Sequence, residues 1–173
     1  MLVADETILR QFPPLRHAWG LRGRQVCVPV TGHNARRVLY GAIDVRTGRR
    51  VLRRATNMRQ GEVHGFLRDL RRRYRPGRRL WLILDRHGSH GSPATRKLAA
   101  SIDIELLFLP KQCPELNPMD HLWKEVKRVV SANRQYDRVD DQAAAAEAWL
   151  RRLTPRQAKC KAGMLSKNFW LRT

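Results

Sequence analysis

Leu80-Trp81-Leu82-Ile83-Leu84-Asp85 is an unbroken apolar run that ends in a carboxylate. A strand buried on both faces requires such a run, and burial does not tolerate an unpaired charge, so Asp85 belongs at the strand's exposed carboxyl end. Residues 104–109, Ile-Glu-Leu-Leu-Phe-Leu, read as another strand. The next segment, Pro110-Lys111-Gln112-Cys113-Pro114-Glu115-Leu116-Asn117-Pro118, reads as a rigid loop, because its prolines fix φ and cannot donate to a ladder. Asn117 suits the N-cap and Pro118 the first position of a helix, which puts Asp120 at the third position, near the positive end of the helix dipole. Local spacing alone leaves open a capping box in which Asp120 reaches back to the Asn117 amide. Asp5 closes the apolar opening Leu2-Val3-Ala4, so three carboxylates fall at element ends, where a metal ion or a charged substrate can reach them.

Outward from this stretch, Met1–Leu9 reads as the first strand, and residues 11–24 as a loop built on Pro13-Pro14, Gly20 and Gly23, with Trp19 as a packing anchor and base stacking as the alternative. Strands are expected at Gln25–Val30, Arg37–Val45 and Arg49–Ala55, separated by turn-forming stretches and giving an antiparallel meander. Val63, Phe66, Leu67, Leu70 and Tyr74 then recur at helical spacing, so Glu62–Tyr74 is an amphipathic helix, halted by Arg75-Pro76-Gly77. The seven arginines from Arg68 to Arg79 read as a solvated face, with phosphate contact as the alternative. Ser92-Pro93 opens a short helix to about Ala100. His87-Gly88-Ser89-His90 fills the loop past Asp85; no Cys or third His is spaced to complete a zinc site, so His90 is expected to orient Asp85 or a phosphate. The helix from Pro118 should bury Leu122, Trp123, Val126, Val129 and Val130, with Asp120, Lys124, Lys127 and Arg128 along another face. Asp140 and Asp141 are expected to cap an alanine-rich helix running through Leu153.

The 173 residues suffice for one domain with a single core. A formal charge of +20, from 35 basic and 15 acidic residues, is a field that favours a polyanion, and nucleic acid is the partner it implies. Only seven of the bases are Lys, a bias that a GC-rich coding sequence explains; the excess of base over acid it does not. Cys27, Cys113 and Cys160 are scattered, which argues against a zinc ribbon or a disulfide framework and fits a reducing compartment. No run approaches the roughly 18 apolar residues of a membrane span, and the N-terminus carries acids where a signal peptide needs bases, so a cytoplasmic, nucleoid-associated protein without a membrane partner is expected.

Asp5-Glu6, Leu84-Asp85 followed by His90, and Leu109-Pro110…Pro114-Glu115-Leu116-Asn117-Pro118-Met119-Asp120…Leu122-Trp123 together resemble the catalytic domain of DDE transposases of the mariner superfamily, in its bacterial insertion-sequence branch. The 34 residues between Asp85 and Asp120 are similar to the mariner spacing. Three departures stand out: Arg86 where the family most often has Asn, Lys111-Gln112-Cys113 in place of Pro-Tyr-Ser, and Asp120 where this branch usually has Glu.

The resemblance implies an α/β, ribonuclease H-like fold, a mixed sheet with an antiparallel meander flanked by helices, in one domain over residues 1–173. It implies that Asp5, Asp85 and Asp120 are catalytic and hold Mg²⁺, with Mn²⁺ as substitute and two ions in all; ions of such a pair sit ~3.5–4 Å apart in two-metal phosphoryl transfer. Asp5 and Asp85 would bridge the ions and Asp120 hold one, with Glu6, His90 and Asn117 supporting them from behind. Arg86, Lys111, Lys124, Lys127 and Arg128 are the expected DNA contacts. The activity implied is cleavage and strand transfer at insertion-sequence ends by a homodimer on double-stranded DNA. Family members carry helix-turn-helix modules ahead of the first strand, so end recognition is expected on a separate or frameshift-joined reading frame, unless the chain is a truncated remnant. The alternatives are another ribonuclease H-like nuclease, acting on RNA–DNA hybrids or junctions, and an inactive DNA-binding remnant.

Overall fold

The structure, a computed structural model, describes residues 1–74 and 77–171. The stop expected at Arg75-Pro76 lies outside the described residues. Strand β1 (Leu2–Arg10) pairs antiparallel with β2 (Arg36–Asp44), and β2 with β3 (Arg50–Ala55). Helix α1 (Gln60–Arg73) crosses over to β4 (Leu80–Leu84), which lies parallel to β1. A helical turn, α2 (Gly88–Gly91), and helix α3 (Pro93–Ser101) lead to β5 (Ile104–Phe108), parallel to β4. The sheet order is β3-β2-β1-β4-β5. A 3₁₀ turn at Pro114–Leu116 precedes α4 (Pro118–Val126); α5 (Val139–Arg152) and α6 (Pro155–Lys161) follow.

Alternation along β1 divides the interior into two layers. Leu2 and Ala4 face Val63, Phe66, Leu67 and Leu70 of α1, whereas Val3 and Leu9 face Met119, Leu122 and Trp123 of α4 and Ala143, Ala146 and Leu150 of α5. By the same alternation Glu6 leaves the sheet on the α1 side and Asp5 on the α4 side. Helix α4 comes close because Gly41, opposite Asp5 in the β1–β2 register, has no side chain: a Cβ there would lie 2.6 Å from Met119 Cε and 2.8 Å from the Trp123 ring.

Several expectations need correction. Residues 25–30 form no strand; this stretch lies almost wholly exposed, where no ladder partner reaches it, and β4 is therefore the fourth strand rather than the fifth. Trp19, expected as an anchor, is fully exposed. Residues 88–91 form a turn of helix rather than a loop. The chain past α4 winds as a π-helix over Lys127–Ser131; its wider turn shifts the buried face by one residue, leaving Val129 exposed and Ser131 buried. Ser131 there accepts a hydrogen bond from buried Gln142 of α5, at 2.9 Å. Asp140 and Asp141 lie inside the first turn of α5, whose N-cap is Arg138, and Asp140 is engaged by Arg37 instead.

Candidate active site

The β1–β4 register pairs Leu2 with Leu82 and Val3 with Ile83, so its continuation sets Asp5 level with Asp85 at the carboxyl ends of two parallel strands. Neighbouring strands lie about 4.8 Å apart, close enough for the two carboxylates to interact strongly. The third acid arrives through Asn117. Its Oδ1 caps α4 by accepting from the Met119 amide at 3.0 Å, and its Nδ2 donates to the Ala4 carbonyl at 3.2 Å, so one buried side chain ties the start of α4 to the residue before Asp5. Asp5, Asp85 and Asp120 then line one cleft of about 470 Å³, together with Arg86, His87, Lys111, Cys113 and Asn117.

Asp120 does not complete a capping box: the Asn117 amide already donates to the Pro114 carbonyl at 2.9 Å. Lys124, one turn on, places its Nζ 2.7 Å from Asp120 Oδ2, an ion pair off the alignment of a hydrogen bond, since that oxygen has no hydrogen-bond partner among the described residues. Arg128 is taken up by Glu125, at 2.9 and 3.0 Å, and neither it nor Lys124 or Lys127 lines the cleft. Arg86 and Lys111 do, at an exposed rim.

Behind the acids lies a buried link that sequence spacing indicates only in part. His90 is 2% exposed; its Nδ1 lies 2.8 Å from Asp85 Oδ1 and its Nε2 3.2 Å from Glu6 Oε2, whose side chain is itself 6% exposed. The Asp85 Oδ1 also accepts from the His87 amide at 3.1 Å. Glu6, His87 and His90 bring ligand atoms within 4.8 Å of one another, but both His90 nitrogens already face carboxylates, which leaves no lone pair for a metal. Burial works against a charge on His90, yet the hydrogen bond to Asp85 and the ion pair with Glu6, whose Oε2 has no aligned hydrogen bond among the described residues, outweigh it and push the imidazole up to about 10. The same bond to His90 holds Asp85 below the ordinary carboxylate range. Asp5 goes the other way: burial first, then the carboxylates of Glu6 and Asp85, push it up to about 8. Helix α2 is pinned in turn, since Thr95 Oγ1 donates to the Ser89 carbonyl at 2.8 Å and lies 3.1 Å from His64 Nε2 of α1.

A mixed five-stranded sheet with three carboxylates converging at the ends of β1 and β4 and the start of α4 defines a ribonuclease H-like domain. The profile of the DDE superfamily endonuclease family matches residues 1–142, and the chain belongs to that family. It is 26% identical over 132 residues to the "Insertion element IS630 uncharacterized 39 kDa protein" of Shigella sonnei, covering 76% of this chain and 38% of that protein. The mariner Mos1 paired-end complex with Mg superposes with a TM-score of 0.73 at 16% identity, covering 95% of this chain and 51% of that one. The catalytic domain of Mos1 mariner transposase superposes at 0.62 and 15% identity, covering 95% and 76%. These likenesses establish the fold, and the chain spans well under half of the insertion-element relative. Among the described residues no helix is long and apolar enough to cross a membrane.

Proposed function

We propose that residues 1–173 form a single catalytic domain of an insertion-sequence transposase, which cleaves DNA strands at element ends and joins them to target DNA. The observation that carries this reading is the convergence of Asp5, Asp85 and Asp120 on one open, cation-rimmed cleft. Their chemistry fits divalent metal: three carboxylates repel one another at close range, and burial, then the carboxylates of Glu6 and Asp85, push the Asp5 carboxyl up to about 8. Mg²⁺ suits an all-oxygen donor set with room for water and phosphate, and the solved Mos1 paired-end complex with Mg supports that choice. Asp5, between the other two acids, and Asp85 would share two ions, and Asp120 would hold one. When bound, the metal would supply charge neutralisation on the phosphate and a more acidic water.

The remaining work falls to protein groups. His90 fixes Asp85 Oδ1, so that Oδ2 is the oxygen left to face the cleft, and Glu6 holds His90 from behind. Asn117 sets the separation of Asp120 from Asp5. Arg86 and Lys111 bind phosphodiester oxygens at the rim; Lys124, paired with Asp120 though not itself in the cleft lining, would be free to meet phosphate if that carboxylate held a metal. In cleavage a water oxygen attacks phosphorus and gives up a proton, while the 3′ oxygen leaves with its electron pair and takes one up; in transfer the freed 3′ hydroxyl attacks target phosphorus and loses its proton, while the target strand's own 3′ oxygen leaves with its electron pair and is protonated. No protein–DNA bond forms. The solved paired-end complex of Mos1 supports a reading in which element ends are brought together; two copies of the chain would do so here, in the cytoplasm at the nucleoid.

The test is a nicking assay with Mg²⁺ or Mn²⁺ on duplexes carrying the element's terminal repeats, on RNA–DNA hybrids and on four-way junctions. Preferential cleavage of the repeat duplex, lost in Asp85→Asn, is expected. Preferential cleavage of hybrids or junctions would replace this function with another ribonuclease H-like activity, and cleavage of nothing would leave a DNA-binding remnant.

A further inference from the structure

At the far side of the sheet from the cleft, β3 is an edge strand that pairs only with β2 among the described residues. Edge strands leave alternate N–H and C=O groups unpaired, and proteins protect them with charge or cover. Here α1 packs on one face of the sheet and α5 on the other, and their carboxyl ends meet across the edge. The groove between them has a volume of about 1040 Å³ and is lined by Arg49, Arg50, Arg72, Arg73 and Arg151 with Tyr74, and by no carboxylate among the described residues. It shares no lining residue with the catalytic cleft.

These arginines divide by what they touch. Arg50 is structural, its guanidinium donating to the carbonyls of Gly48, Leu150 and Leu153 and so closing the end of α5. Arg72 pairs with Asp69 at 2.6 Å but remains 74% exposed, and Arg151 stands 3.8 Å from Glu147 at 69% exposure. Arg49 and Arg73 have no acidic partner among the described residues; burial and then the Asp44 carboxylate hold the proton on the Tyr74 hydroxyl, and the charges of these two arginines work against them. Compensation of the two helix dipoles calls for about one cation at each end. Four exposed guanidinium groups around one groove, two of them without an acidic partner among the described residues, exceed that.

We propose that the β3-edge groove is a second phosphate track, which holds duplex DNA by its backbone away from the catalytic cleft. This rests on the reading of the chain as a DNA-processing enzyme. Arginine forks match phosphate geometry, and the absence of any lining carboxylate excludes a basic partner. The stretch from Arg49 to Leu52 that lines the groove spans about 13 Å, a length along which one DNA strand presents about four phosphates, one for each exposed arginine.

The experiment is fluorescence anisotropy of the full chain with a 30-base-pair duplex in EDTA, titrated with salt. The triple variant Arg49→Gln/Arg73→Gln/Arg151→Gln is compared with Arg22→Gln/Arg24→Gln/Arg36→Gln, three exposed arginines elsewhere that remove the same charge. Loss of three phosphate contacts lowers the slope of log K against log salt by about 2.7. The groove variant is expected to show most of that fall and the control less than one unit, and an Arg→Lys triple at the groove should restore most of the slope. Equal falls in the two variants, or no fall in the groove variant, would show diffuse attraction and overturn the proposal. Polyglutamate displacing the duplex at matched charge from wild type, but not from the groove variant, would overturn it in favour of an acidic protein partner. Binding in EDTA is independent of chemistry: if wild type cleaves nothing yet the slopes differ, the proposed activity fails and the groove stands, and the reverse pattern condemns the groove alone.

Discussion

His90→Gln should be among the most destabilising single changes at the site, and the structure says why. The imidazolium stands between two acids that differ in exposure: Asp85 is half-exposed, whereas Glu6 is 6% exposed and His90 itself 3%. The Asp85 contact is screened by solvent and counts for at most about 1 kcal/mol. Removing the cation strands the Glu6 carboxylate in the α1 layer, and breaking one side of a buried pair costs about 3–5 kcal/mol. At about 2–4 °C per kcal/mol for a chain of this size, the melting temperature should fall by roughly 6–20 °C. The double variant Glu6→Gln/His90→Gln removes both charges and should recover at least half of that loss, because the penalty lies in the unpaired ion rather than in the missing contact. Urea unfolding of the metal-free protein, followed by Trp fluorescence at constant m, measures all three. A single variant within 1 kcal/mol of wild type, or a double variant that loses the sum of the two singles, would refute the reasoning.

Three further outcomes rest on the same geometry. The folded-state pKa of Asp5, about 8, exceeds its usual 3.8, so its contribution to stability is complete below about pH 4 and is lost as pH rises through 8; His90, at about 10 against 6.5, acts in the same direction over a higher window. Melting in EDTA should therefore move downward between pH 6 and 9, and Mn²⁺ should cancel much of the fall; a metal-free curve flat over that range would contradict the crowding of the acids. Gly41→Ala drives a methyl into Met119 and Trp123, so α4 must retreat: about 1–3 kcal/mol of stability should go, and nicking should fall more steeply than stability predicts. Asp120→Asn should leave the melting temperature within a few degrees, since the Asn117 amide is bonded to Pro114, while cleavage drops by several orders of magnitude and Asp120→Glu retains some Mn²⁺-dependent activity. Wild-type rates in Asp120→Asn would remove that residue from the site.

The parts legible in the sequence are those that local rules determine. The apolar run into Asp85 can only be a doubly covered strand, and Asn117-Pro118 carries its helix start in its own chemistry, so β4, α4 and the placement of two acids follow directly. The Pro-Glu-Leu-Asn-Pro stretch adds to this, because it resembles a family motif tied to one fold. What stayed hidden depends on partners distant in sequence. The apolar spacing of Gln25–Val30 suits a strand, but no neighbour offers it a ladder. The π turn after α4 answers to the buried Gln142–Ser131 bond, eleven residues apart. The Asn117–Ala4 bond crosses more than a hundred residues. The Glu6–His90 pair was half visible, since alternation along β1 sends Glu6 to the opposite face from Asp5, but only the α2 turn brings the imidazole to it.

The central claim, that Asp5, Asp85 and Asp120 together hold the catalytic metal, is tested most directly by melting the chain with and without Mn²⁺, wild type beside Asp85→Asn. A ligand that binds only the folded state stabilises it by about 2.7 kcal/mol at one hundred times its Kd. Wild type should therefore rise by roughly 5–10 °C at saturating Mn²⁺, and Asp85→Asn should rise by little or nothing. An undiminished rise in the variant would place the metal elsewhere and contradict the account.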